Sequence, residues 1–93
     1  MKNFRLIFWS ELMSVLIIEN EVELKLNNGE EVLDYVVNNI EGVEEDYLDV
    51  EGDVNDDMFN IVIGEESNCM VFVNYEGKID RDLIIRNIIK LNK

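Results

Sequence analysis

There is no histidine, no proline and only one cysteine in this chain, and residues 41 to 69 contain no lysine or arginine. Each absence removes a class of function. Without histidine neither a Ser-His nor a Cys-His nucleophile pair can be assembled, and zinc loses its commonest nitrogen ligand. A single cysteine has no partner for an internal disulfide. Cys69 stands in the apolar run "CMVFV", which reads as a buried free thiol in a reducing cytosol. The glycines of "NNGEE" and "VIGEES" are isolated, whereas a phosphate cradle needs several, usually with a lysine. Among 21 carboxylates no pair stands apart as a glycosidase acid and base. The expectation is a protein that is not an enzyme and uses no cofactor.

No proline-rich linker, repeat or low-complexity tract divides the chain. Ninety-three residues, 47% of them hydrophobic, suffice for one core and leave no room for two. Residues 1–93 therefore read as a single domain. The opening "MKNFRLIFWSELMSVLII" has a positive start and an apolar body. Glu11 interrupts it, no small-residue cleavage site follows, and it is too short for a bilayer, so it reads as core.

Charge is the feature in excess. The net charge of -13 is unevenly spread: residues 1–40 sum to -4, residues 41–69 hold eleven acids and no base, and residues 70–93 sum to +2. Such a field repels nucleic acid and anionic membrane and favours a basic protein partner.

Hydrophobic spacing gives the elements. "NNGEEVLDYVVNNIEG" carries Val32, Leu33, Val36, Val37 and Ile40 at helical intervals. Asn28 and Glu31 are placed as a capping box and Gly42 as a C-terminal stop, predicting a helix over 30–41. Tyr35 falls off its apolar stripe, which predicts a ring at the surface. "VELKL" alternates as a half-buried strand. The preceding "SVLIIE" reads as a strand joined to it in a hairpin across Asn20 and Glu21, although Phe4 to Leu16 can also be laid on a helix with Ser10, Glu11 and Ser14 on a narrow polar wedge. "YLDVE" (47–51), "MFNIVIG" (58–64) and "CMVFVNY" (69–75) are strand candidates separated by short turns and expected to pair antiparallel in order. The last two are apolar on both sides and belong inside a covered sheet. "DRDLIIRNIIKLNK" predicts a second helix over 80–91, with acids early, bases late and an Asp82–Arg86 pair. The expected architecture is α+β: an antiparallel sheet of four to five strands with two helices packed mainly on one face.

The stretch "EGVEEDYLDVEGDVNDD" places nine carboxylates in seventeen residues, namely Glu41, Glu44, Glu45, Asp46, Asp49, Glu51, Asp53, Asp56 and Asp57. On a strand with Leu48 and Val50 inward, Tyr47, Asp49 and Glu51 point outward and Asp53 extends the row. Carboxylates then recur every ~6.8 Å, twice the axial phosphate spacing of a DNA strand. With Tyr35 and Tyr47 as aromatic anchors, this set is the candidate partner-binding surface. Asp49, Glu51, Asp53 and Asn55 also alternate as calcium ligands do, but Gly52 stands fourth and Asn60 twelfth, where an EF-hand loop needs Gly sixth and Glu twelfth. No metal site is assigned. A calcium-responsive module or an acidic structural subunit is the alternative.

Residues 22–77 resemble the first-numbered family of immunity proteins from bacterial polymorphic-toxin systems. The likeness runs through "VELKL", "EEVLDYVVNNI", an acidic stretch, and "FNIVIGEESNCMVFVNYEG". Beyond it the chain's end, "DRDLIIRNIIKLNK", reads as a helix where such families commonly continue with more sheet. The resemblance implies an inhibitor of a nuclease-type toxin. Together with the charge it leads to the expectation of an acidic protein, monomer or homodimer, that blocks the basic groove of a nucleic-acid-processing partner. Either toxin immunity or a phage-encoded, anti-CRISPR-like role in a bacterial cytoplasm fits that description.

Overall fold

In the computed structural model, residues 1–92 are described, with the backbone alone at Glu45. The chain opens with two long strands, β1 (Lys2–Leu12) and β2 (Val15–Leu26). Met13 and Ser14 join them, both with left-handed backbone (φ 52° and 67°). Two successive residues of this kind make the tight turn whose twist matches that of an antiparallel pair.

The expected short hairpin across Asn20 and Glu21 is not formed, and neither is the alternative helix. "SVLII" and "VELKL" are halves of one strand. Phe8 pairs with Asn20 and Trp9 with Ile18, which leaves Glu19 as the extra residue of a bulge. The bulge reverses the faces of β2: Leu16 and Ile18 pack to one side of the sheet, Val22, Leu24 and Leu26 to the other.

Helix α1 (Glu30–Asn39) follows, two residues shorter than predicted. The expected capping box forms only in altered form: Gly29 is the N-cap with no side-chain bond of its own, the Glu31 amide donates to Asn28 Oδ1 (3.2 Å), and the Glu31 carboxylate accepts from the Asn27 amide (3.0 Å), one residue before the amide the expected box engages. Gly42 takes φ +81° in the turn beyond. One turn of 3-10 helix (Glu45–Tyr47) leads to β3 (Asp49–Glu51), β4 (Met58–Val62) and β5 (Ser67–Val73), and α2 (Arg81–Leu91) closes the chain. Asp80 caps α2, its carboxylate accepting from the Leu83 amide at 2.9 Å. The expected Asp82–Arg86 ion pair is absent: Arg86 Nε donates instead to the Asp82 carbonyl oxygen (3.3 Å).

The five strands form one antiparallel sheet in the order β2-β1-β5-β4-β3. This is the α+β class expected, with one difference. The helices lie on opposite faces, not mainly on one. Val32 and Val36 of α1 pack with Phe4, Leu6, Phe59, Ile61, Cys69 and Val71. Ile84 of α2 packs with Ile7, Trp9, Met70 and Phe72 on the other side. The reason is in the central strands: β1, β4 and β5 alternate large apolar residues onto both faces, and each face needs its own cover. No helix among the described residues is long and apolar enough to cross a membrane.

Candidate functional site: an acidic sheet edge

The acidic run passes through the edge strand β3 and the connections on either side of it. Glu41, Glu44 and Asp46 lie between α1 and β3, Asp49 sits on β3, and Asp53, Asp56 and Asp57 form the turn into β4; all seven are exposed. β3 is the outermost strand on this side, so nothing in the sheet stands beyond it. Glu45 falls in the 3-10 turn, and its side chain lies outside the described set. Among the described residues the ion pairs are Arg5 with Glu21 (3.0 Å) and Arg5 with Glu23 (3.8 Å), and none involves the acidic border.

Tyr47 ends the 3-10 turn in the middle of this border and is 73% exposed. Its place differs from the one expected, since it precedes β3 by two residues and does not share the strand's outward row. Tyr35 differs more. Its ring does not stand free at the surface: it is half-buried against the α1-side core and lines a shallow depression with Phe8, Asn20, Val22, Asn39 and Ile40. Residues off the main stripe of a helix still pack when the sheet beneath is wide, and the β1–β2 hairpin extends far enough to reach Tyr35.

The outward row of Asp49, Glu51 and Asp53 is only partly free. Glu51 is half-buried, and its Oε1 accepts from Asn60 Nδ2 at 2.8 Å. Asn60 is fully buried, and its amide is the hub of a polar chain. Asn60 Oδ1 accepts from the Trp9 indole (3.1 Å), and Asn60 Nδ2 also donates to Asn68 Oδ1 (3.2 Å). A buried carboxamide must satisfy both ends, and Glu51 completes the set. Asp53 Oδ1 accepts from the Asn55 amide (2.8 Å), an Asx turn that shapes the β3–β4 connection. Asp49 is the free carboxylate of the three.

The fold also recruits acids from outside the run. Gly29, just before α1, abuts Val54 so closely that a β-carbon there would collide with the Val54 carbonyl. That approach brings Glu30 and Asp34, one turn apart on α1, beside Val54 and Leu33 in a shallow hollow. Their i, i+4 spacing on the outer face of the helix was the available signal, but only the docking of Gly29 joins them to the acidic border. No group of three or more acids or cysteines among the described residues is arranged to hold a metal ion. Asp49, Glu51, Asp53 and Asn55 do not converge as calcium ligands.

The remaining chemistry-bearing group is inert. Cys69 is buried in β5, and burial pushes its thiol far above the ordinary value, so it holds its proton. Set against protein-family models, curated proteins and solved structures, the chain matches none of them.

Proposed function

We propose that the acidic border is a docking surface for a basic protein, and that the chain acts as a non-enzymatic inhibitor by covering the nucleic-acid-binding surface of that partner. One observation carries this reading: seven exposed carboxylates of residues 41–57 lie on the edge strand β3 and in the segments leading into and out of it, none paired with a described cation, with the exposed Tyr47 among them. A like-signed cluster raises local potential and costs stability through self-repulsion, while a cationic receptor recovers that cost and is steered toward it. Tyr47 supplies apolar area at the centre, where charge alone gives little affinity. Toxin immunity and an anti-CRISPR-like, phage-encoded role share this physics.

The test is displacement. Host proteins retained on immobilised wild-type chain are challenged with DNA and RNA, beside a variant carrying Glu44→Lys, Asp46→Lys, Asp49→Lys and Asp56→Lys. These four positions spare Glu51 and Asp53, which serve the fold. The expected result is a basic nucleic-acid-binding protein that wild type retains, that nucleic acid or rising salt releases, and that the variant fails to bind. Identical capture by the variant, or capture indifferent to nucleic acid, overturns the reading.

A further inference from the structure

The two borders of the sheet are unlike. β3 is three residues long and edged with carboxylates, which keeps other strands from adding to it. β2, at the opposite border, is twelve residues long. Its second half carries Glu19, Glu21 and Glu23, but Val15 to Ile18 has no charge at all. Beside that uncharged half the surface is apolar. Val15 and Ile17 are 49% and 41% exposed, and the hairpin tip adds Leu12 (53%) and Met13 (90%). On the β1–β2 ladder Leu12 pairs with Val15 and Ser10 with Ile17, so these side chains share the α1 face of the sheet, where they remain exposed. On the other face Leu16 and Trp9 border a hollow of about 270 Å³ with Ile85, Ile88 and Ile89 of α2.

We propose that two copies of this chain join along this uncharged half of β2, antiparallel about a two-fold axis at Ile17, fusing two five-stranded sheets into one. Charge excludes registers through the second half of β2 and leaves those through Val15 to Ile18 open to a second copy. Directly opposed side chains in an antiparallel pair share a face, and in the stretch before the bulge at Glu19 that means residues of like parity meet. An axis at Asn20, Glu21 or Val22 sets Glu19, Glu21 and Glu23 against one another or against themselves, and opposed like charges repel. An axis at Ile17 sets Ile17 on Ile17 and Leu16 on Ile18, brings Glu19 alongside Val15 and opposes no carboxylates; axes at Leu16 and Ile18 oppose none either, but set Ile18 on Ser14 of the turn or Ile17 on Glu19. The apolar strips of Val15 and Ile17 from the two copies then run together on one face.

The net charge of -13 does not forbid this pairing. With strands spaced about 4.8 Å apart, the acidic borders of the two copies would stand nine spacings, roughly 43 Å, from each other. That is several times the screening length of about 8 Å at physiological salt. The pairing leaves both acidic borders free and aimed in opposite directions, so it stands whether or not they bind a basic partner.

Sedimentation over about 1 to 200 μM, a range that brackets a micromolar Kd, measures the association directly. Wild type is expected to approach twice the 10.9 kDa of one chain, and Ile17→Lys to stay at that of one. Ile17→Cys supplies a readout that does not depend on losing the interface. Opposed Cα atoms about 4.5–5.5 Å apart fall within disulfide range, so mild oxidation should yield a covalent dimer, while Glu23→Cys stays monomeric. Cys69 is buried and takes no part. A wild type that stays at the mass of one chain throughout, or an Ile17→Cys variant that crosslinks no faster than Glu23→Cys, overturns the proposal.

Discussion

Asn60 is the residue on which the centre of the molecule turns. It is the buried polar side chain of the core, on β4 between the hydrophobic neighbours Phe59 and Ile61. Its amide bonds Trp9 of β1, Asn68 of β5 and Glu51 of β3, so one side chain ties its own strand to three others. Asn60→Ala leaves the Trp9 indole donor unpaired in the core and opens a small cavity. The expected cost is about 3 kcal/mol in urea unfolding, whereas Glu51→Gln, which still accepts the bond, should cost less than about 1 kcal/mol. Cys69 gives a prediction of a different kind. Its thiol titrates at an ordinary 9.0 once unfolded but is held protonated by burial when folded. Below pH 9 its contribution is fully present; above it the unfolded chain releases a proton that the folded chain keeps. Stability should then fall by up to ~1.4 kcal/mol per pH unit from this group. Cys69→Val, similar in volume, removes that slope, so the difference in unfolding free energy between the two proteins should grow from pH 9 to 10.5.

At the scale of elements, the docking of the β3–β4 turn onto the start of α1 depends on Gly29. Its φ of -69° suits any residue, so the requirement is for space: Val54 fills the position a side chain would take. Gly29→Ala should therefore destabilise by about 2 kcal/mol or more, as overpacking against backbone does. Gly64→Ala, with open space around it, should be within about 0.5 kcal/mol of neutral. Thermal melts of the two variants check both statements, and equal effects would refute the packing argument. Much of this layer was readable in the sequence. The α1 and α2 spans, the antiparallel order of the last three strands and the pairing of Asn28 with Glu31 at the start of α1 follow from spacing and local hydrogen-bonding chemistry, whereas Asp80, expected inside the first turn of α2, is its cap. The faces were less so. "FNIVI" and "CMVFV", apolar on both sides, already demanded cover above and below, which conflicts with helices gathered on one face; the two-sided pattern was the stronger signal. The bulge at Glu19 could not be read, because it depends on how Phe8 and Trp9 meet β2 across the ladder and leaves no local mark. The acidic run was plain in the sequence, but which of its members are free was not. Glu51 is claimed by a carboxamide nine residues away, and Glu30 and Asp34 join the border only through the contact of Gly29 with Val54.

For the whole molecule the question is whether the acidic border serves the fold or opposes it. Its exposed carboxylates have no described cation within ion-pair distance, so their mutual repulsion weakens the folded state, and that weakening must depend on salt. Reversing Glu44, Asp46, Asp49 and Asp56 to lysine adds eight charges and takes the net from -13 to -5. At low ionic strength the melting temperature should rise by about 4 to 8 °C, equivalent to roughly 1 kcal/mol of relieved repulsion in a domain of this size. Near 0.5 M salt, where the screening length drops to about 4 Å, the gain should largely vanish. The same variant should lose the ability to compete with nucleic acid for a basic partner. Stability and binding would then move in opposite directions, which is the signature of charge held in place for an interaction at the expense of the fold. A variant less stable than wild type at every salt concentration would instead mean that these carboxylates hold the edge of the sheet together, and the docking surface would have to be sought elsewhere.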